Sequence, residues 1–467
     1  MPATASAVTD DHRRRGVVLG VASVASFMVA LDLLVVTTSL DVVRRDLAVS
    51  TTGLQWTVTA YGVSFAALLM TGAALGDHFG RRRMLVAGLL VFAAGSVGAA
   101  LSTGLGPLIA ARVVQGVGGA IILPVGLTIV TTAFPPARRG SAIGVLEGVT
   151  GLAVIAGPLI GGAVAHWLPW HWIFWINVPI ALAAIPVVLV VVEESFGDGE
   201  RVDIIGLALV STAATAFVWA LSRGNDIGWS SPQTAVALAV ATAGALGFAG
   251  WERRAAEPML PPRLFRSSAF TIGVAAAFLV AGSLYIAVYF MAQYLRDVLG
   301  YDSFETGVRL LPWTATLLVV APLAGALADR VGPRPVLSAG LLIQSLGMAW
   351  IAWTAHVGGS YGALVGPLVL TGIGTSAALP VTQAVALGAV ADPDIGKAAG
   401  TNNMLQELGG AFGIAVGVAA FAAVGGTETA DGFAAGFVTA ISVAAVLAAC
   451  ACALSLALPR PGGGRTP

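Results

Sequence analysis

From residue 17 to residue 457 the chain is a succession of long apolar runs separated by short polar or charged punctuation. The runs fall at 17–40, 54–76, 84–103, 107–134, 141–165, 172–192, 204–222, 232–251, 269–292, 306–328, 336–355, 361–389, 398–424 and 433–457. Each is close to the roughly 20 residues a helix needs to cross about 30 Å of hydrocarbon, so membrane-spanning helices are predicted over all fourteen runs. Lipid offers no partner to a backbone N–H or C=O, and helices, which bond internally, are what can fill such runs. Runs that are apolar on every side have no moment, so periodicity does not show which way they face.

The charged punctuation carries a repeat. The nine residues Ala74–Arg82 recur 252 positions later as Ala326–Arg334, with five identities in register. Fourteen spans in 467 residues average about 33 residues for a helix and its loop, so the offset corresponds to eight helices. A repeated six-helix half interrupted by two extra helices gives that spacing. The expected organisation is a tail over 1–16, a first six-helix half over 17–192, two inserted helices with their linkers over 193–266, a second half over 267–457 and a tail over 458–467. Parallel halves of this kind build secondary transporters with substrate held between them near the midplane.

Composition agrees with the pattern. With 57% hydrophobic residues, 10% charged residues and a mean hydropathy of +0.88, a soluble fold would have nowhere to place its apolar surface. The zero net charge conceals an asymmetry. With a cytoplasmic amino terminus, eighteen of the twenty-four Lys and Arg residues fall in inner segments, five in outer ones, and Arg112 inside a span. Both termini are therefore expected to be cytoplasmic. Nothing in the charge pattern points to nucleic acid. The first run follows Arg13–Arg15 but is longer than a signal-peptide core and lacks a small-residue cleavage site, so it is expected to stay as the first helix. Cys450 and Cys452 read as packing residues of the last span, and the histidines fall in loops or the tail. No metal site, cofactor or catalytic cluster is expected, and no loop has room for a soluble domain.

Several motifs carry candidate chemistry. Asp77-His-Phe-Gly80-Arg81-Arg82-Arg83 joins an acid at a helix end to a glycine turn and a basic cluster. The acid there can bond the first amides of the next helix or pair with an arginine, in one transporter state and not in the other. Asp329-Arg330 reads the same way in the second half. Asp32, Arg112, Glu147 and Glu407 are the ionisable side chains inside spans. Each is costly in hydrocarbon, is a functional candidate by default, and is expected to face a central cavity. Asp32 is the leading proton carrier. Arg112 could stabilise a neighbouring ionised carboxylate and be displaced when it protonates, or form a structural salt bridge. Glu147 and Glu407 are second proton sites or attractors of a cationic substrate, with a structural hydrogen bond between helices as the alternative for Glu147. Gly157-Pro158-Leu-Ile-Gly161-Gly162 combines small residues, which let a neighbouring helix come close, with a proline that removes a backbone donor. Trp167, Trp170, Trp172 and Trp175 are expected to form an outer aromatic belt. Phe27, Tyr61, Tyr285, Tyr289, Phe290 and Trp313 lie deeper and, with Gln115, are the candidate cavity lining.

The turn Ala73–Arg83, the run Arg112-Val-Val-Gln115-Gly116-Val-Gly118-Gly119 and the Gly157–Gly162 run resemble three signature motifs of the major facilitator superfamily. Together with Leu31-Asp32 and Trp172-Ile-Phe174-Trp-Ile-Asn177-Val-Pro179 they are similar to its fourteen-helix drug:H+ antiporter branch. The chain departs from the pattern at Ala73, His78, Ala153 and His171. The resemblance implies an all-α integral membrane fold of two six-helix halves plus two inserted helices. It further implies that the Asp77 turn is a gating element whose made state is outward-open, that Gly157–Gly162 accompanies antiport, and that Glu407 occupies a position often acidic in the branch. The function implied is a monomeric proton-coupled antiporter in the cell membrane. It would export hydrophobic drugs or antibiotics, cationic ones among them, by alternating access, with the proton gradient and no cofactor as its energy source. The alternatives are a dedicated exporter or importer of one metabolite and, from another class, a non-transporting membrane sensor.

Overall fold

The computed structural model describes residues 3–459 apart from 39, 48, 50, 198–202, 256, 257, 427 and 428. All regular structure among them is helical. The long helices are α1 (Ala3–Thr38), α2 (Thr51–Phe79), α3 (Arg81–Ala100), α4 (Leu105–Ala133), α5 (Arg139–Trp167), α6 (Asn177–Val191), α7 (Ile204–Ile227), α8 (Pro232–Glu252), α9 (Ser268–Gln293), α10 (Leu311–Val331), α11 (Pro333–His356), α12 (Tyr361–Gly388), α13 (Ile395–Val424) and α14 (Ala430–Ser455). Among the described residues 13 helical spans are long and apolar enough to cross a membrane, and α5, 29 residues long, stands in sequence where another span is expected.

Three departures from the sequence pattern occur, two with evident local causes. Helix α1 begins at Ala3, well before the apolar run, because no residue between Ala3 and Arg15 breaks a helix. The run at 306–328 is split into a short helix, Ser303–Arg309, and α10. Asp302 and Glu305 close a capping box on the short helix, and Pro312, which has no N–H to give, sits in the first turn of α10. The run at 172–192 likewise divides into the single turn Trp172–Trp175 and α6.

The two halves pack alike. In the first, α2 and α3 lie on α4, α1 on α5, and both α1 and α3 on α6. In the second, α10 and α11 lie on α12, α9 on α13, and both α9 and α11 on α14, the same pairs eight helices later. The seam between the halves is made by α5 with α10 and by α2 with α13. Small residues permit this approach. Gly140 and Gly325 abut backbone to backbone, Gly144 lies on the Ala321 carbonyl, and a Cβ on Gly400 would stand 2.6 Å from that of Ala73. Helix α7 lies across the seam, with Ser211 Oγ donating to Ala67 O of α2 (2.9 Å) and Asn225 Nδ2 to Ala415 O of α13 (3.4 Å). Helix α8 packs on α7.

Candidate functional site

At mid-depth between the halves is a cavity of about 280 Å³, lined from α1, α2, α4, α5, α9, α10, α12 and α13. Most of its wall is aliphatic, from residues such as Leu33, Leu123 and Val288. The polar groups converge on two places. On α9 and α13 the Tyr285 hydroxyl is hydrogen-bonded to the Glu407 carboxylate. On the α5 and α12 side Gln383 Nε2 donates to Glu147 Oε1 at 3.0 Å and reaches Gln406 Oε1 of α13 at 3.5 Å. Glu147 and Gln383 therefore bond across the seam inside the cavity.

Asp32 and Arg112, expected to face this cavity, do not. Both side chains have no exposed surface, and they form an ion pair with each other within the first half. Arg112 Nη1 also donates to Gln115 Oε1 (2.9 Å) and Arg112 Nε to Thr57 O (3.3 Å). Asp32 Oδ1 accepts from Gln115 Nε2 (3.0 Å) and from Asn177 Nδ2 of α6 (2.8 Å), while Ser96 of α3 accepts from Gln115 (2.8 Å). Five of the half's six helices thus meet around one carboxylate. The physical reason is donor supply: an ionised carboxylate in hydrocarbon needs several donors, and they are gathered in this half behind an aliphatic cavity wall. Tyr61 stands between. Its ring lies 4.1 Å from the Arg112 guanidinium, its hydroxyl donates to Val29 O of α1 (3.4 Å), and it also lines the cavity.

The other expected lining residues divide. Tyr61, Tyr285 and Trp313 line the cavity. Gln115 belongs to the buried charge cluster and Phe290 stacks on Phe421 at 5.2 Å in the core of the second half. Tyr289 is 43% exposed on the bundle surface, and Phe27 packs on the cluster around Leu31 and Val35. Among the tryptophans, Trp167 and Trp172 are exposed, but Trp170 is buried and donates to Asp46 (2.6 Å), so it is core rather than belt.

The repeated turns contact the opposite half. Gly80 (φ 102°) and Gly332 (φ 91°) hold the same left-handed conformation, which a side chain would strain. Asp77 accepts from Arg81 Nε and Nη2 (2.9 and 2.8 Å), and its carboxylate fills the space at Gly396, the second residue of α13. Asp329 accepts from the N–H groups of Gly140 (3.0 Å) and Ser141 (2.8 Å), which open α5. Asp329 therefore bonds a helix amino terminus across the seam, where free amides and the helix dipole favour negative charge, while Asp77 Oδ2 lies against the amino terminus of α13 without a hydrogen bond and meets only its dipole. The amides opening α3, the helix after Asp77, are taken instead by Glu194, which accepts from Arg82 N (2.9 Å) and Arg83 N (3.3 Å). Arg139 pairs with Asp392 across the same end (3.0 Å), and Arg330 is exposed. The halves are closed together at the end that carries Arg81.

Gly157 packs against Leu34 of α1, where a side chain at position 157 would bring its Cβ within 2.7 Å of the Leu34 Cβ, while Gly148 and Gly151 face Leu317 of α10. Gly161 is buried, and the side-chain surroundings of Pro158 and Gly162 lie outside the described residues. Sequence reasoning missed Asn177 and Gln383 as site residues. The available signal was that each is a lone amide in an apolar span, where a polar group needs a partner.

A cavity at the seam of two repeated helical halves, flanked by charges buried in one of them, defines a membrane transporter of the two-half secondary type. The sequence profile described as Major Facilitator Superfamily matches residues 22–315 and 273–467, and the chain belongs to that family. It is 33% identical over 392 residues to the multidrug resistance protein Stp of Mycobacterium tuberculosis, covering 84% of this chain and 73% of that protein. It is 33% identical over 396 residues to the tetracenomycin C resistance and export protein of Streptomyces glaucescens, with coverage of 84% and 73%. With the puromycin resistance protein of Streptomyces alboniger it shares 32% over 471 residues, covering 95% and 91%. Among solved structures, the human organic anion transporter MFSD10 superposes with a TM-score of 0.66 at 16% identity over 95% of this chain and 99% of that one. The proton:xylose symporter XylE superposes with a TM-score of 0.66 at 15% identity over 95% of each chain. These structural likenesses concern the fold alone.

Proposed function

We propose that this drug-exporter relative is a proton-coupled antiporter that moves hydrophobic compounds, cationic ones among them, out of the cell by alternating access. The observation that carries the reading is the Asp32–Arg112 pair, buried beside the shared cavity but separated from it by Tyr61. A proton arriving on Asp32 would leave Arg112 without its counter-charge in a site of no exposure, so protonation and local rearrangement must go together. Because Tyr61 touches both the pair and the cavity, that rearrangement reaches the substrate space. The basic turns support an orientation with the Arg81 end and both termini in the cytoplasm of a cell-membrane protein. In that orientation the closed end is the inner one, and protons moving inward drive the compound outward.

Three relatives named for a single antibiotic, those for tetracenomycin C, cephamycin and puromycin, favour a second reading, a dedicated exporter of one compound. Proteoliposomes with an imposed pH gradient, offered a panel of dyes and antibiotics, test both. Uphill movement of several compounds that stops when the gradient is collapsed supports the first reading, and of one compound only, the second. Movement indifferent to the gradient, or none for any compound, overturns proton-coupled drug export.

A further inference from the structure

We infer that the Glu147–Gln383 pair is a recognition subsite for the N–H donors of a protonated amine, and that it discriminates such amines from quaternary ammonium ions of the same charge. The inference rests on the drug-export reading above and narrows its substrate class.

Gln383 is 3% exposed and gives its amide N–H to Glu147 and Gln406. Its carbonyl oxygen Oε1 is buried and has no hydrogen-bond partner. A buried acceptor left unpaired is costly, and because Gln383 lines the cavity a turn of its side chain would offer that oxygen to a donor from whatever occupies the cavity. The protein supplies little that could serve. Among the described residues lining the cavity there is no Lys, Arg or His. Thr150 and Thr375 each spend the hydroxyl on a carbonyl of their own helix, at 2.8 and 2.9 Å, and Tyr285 spends its own on Glu407. No other described lining group is hydrogen-bonded to Gln383 Oε1, so an occupant that brings its own donor completes the site, and two carboxylic side chains in a cavity without basic residues favour one that brings positive charge as well.

A protonated primary, secondary or tertiary amine meets both demands. It can place an N–H on Gln383 Oε1, with its charge beside the Glu147 carboxylate, while its apolar body lies on the aliphatic wall. A quaternary ammonium offers charge and bulk but no N–H. It gains the Coulomb attraction and leaves Gln383 Oε1 unpaired. The Glu147 pair thus differs from Glu407, whose hydrogen bond is already supplied by Tyr285.

The test uses the full chain in lipid nanodiscs and in proteoliposomes, with a fluorescent tertiary amine, its N-methylated quaternary analogue and a neutral hydrophobic dye. Wild type should bind the protonated amine about tenfold more tightly than the quaternary analogue, the effect of one hydrogen bond to a charged donor. Gln383→Met, which removes the acceptor, should bring the ratio close to one, whereas Glu147→Gln, which keeps the shape and leaves Gln383 Oε1 in place, should weaken both cations alike and keep the preference; the neutral dye, measured alongside, reports any change in the cavity itself. A ratio near one in wild type, a ratio that the folded Gln383→Met protein retains, or a Glu147→Gln protein that binds both cations as wild type does, overturns the subsite. Amine bound with the expected preference but not moved under a pH gradient supports the subsite while overturning coupled export, so the two failures are distinct.

Discussion

Replacing Arg112 with leucine should destabilise the first half strongly, and adding Asp32→Asn should restore much of what was lost. The single change strands a carboxylate that has no exposed surface, which costs about 3–5 kcal/mol in comparable buried pairs. Asp32→Asn alone leaves Arg112 with Gln115 Oε1 and Thr57 O as acceptors, so its cost should be smaller, about 2 kcal/mol. In the double variant no charge remains, and the amide carbonyl introduced at position 32 can still accept from Gln115 and Asn177. What is lost then is mainly the guanidinium on the Tyr61 ring, about 1–2 kcal/mol. Independent effects would sum to about 5–7 kcal/mol, so the coupling should be about 3 kcal/mol or more. Reversible unfolding in mixed micelles, followed by tryptophan fluorescence for the three variants and wild type, measures it. Effects that add within about 0.5 kcal/mol would refute the picture of a single sequestered charge pair.

Other contacts make equally specific demands. Asp77→Asn and Asp329→Asn each remove negative charge from a helix amino terminus across the seam, an interaction of about 0.3–2 kcal/mol, and should open the Arg81 end. Cysteines placed at that end should label severalfold faster in both variants, and unchanged labelling would count against a gating role. Gly157→Leu forces a side chain into Leu34 and should cost about 1–3 kcal/mol while uncoupling or abolishing transport, with substrate binding partly kept. A fully active Gly157→Leu protein would leave that close approach without functional weight. Glu407→Gln should weaken efflux of every cationic dye more than that of neutral compounds. Equal losses would assign Glu407 to proton coupling instead, and no loss would make its bond to Tyr285 merely structural.

How much was legible in the sequence follows from which forces act locally. Apolar runs against lipid dictate helices, and the repeated acid-glycine-arginine turn exposed the duplication because its left-handed glycine and helix-end acid are local requirements. Partnership across helices was not legible. Asp32 and Arg112 stand out as lone charges, but a helix apolar on all sides gives no rotational phase, so their burial against each other, away from the cavity, had no sequence signal. Tyr285 and Phe290 show the same limit: five residues turn a helix by about 140°, and the structure sends one to the cavity and the other to the core. The α5 amides that bind Asp329 and the Gly396 backbone against which Asp77 packs lie in the other half, and only packing brings them there, whereas the Asp77–Arg81 pair is local and was legible.

The most direct measurement of proton coupling is drug-driven proton movement in proteoliposomes carrying a trapped pH indicator, with no gradient imposed. Addition of a transported compound to wild-type vesicles should shift the internal pH, because each turnover exchanges the compound for protons. Asp32→Asn protein, first shown to be folded by its unfolding curve, should still bind the compound and exchange it against itself without any pH change. A wild-type pH response in Asp32→Asn would contradict the account, since the proton would then travel by a route that bypasses the buried pair.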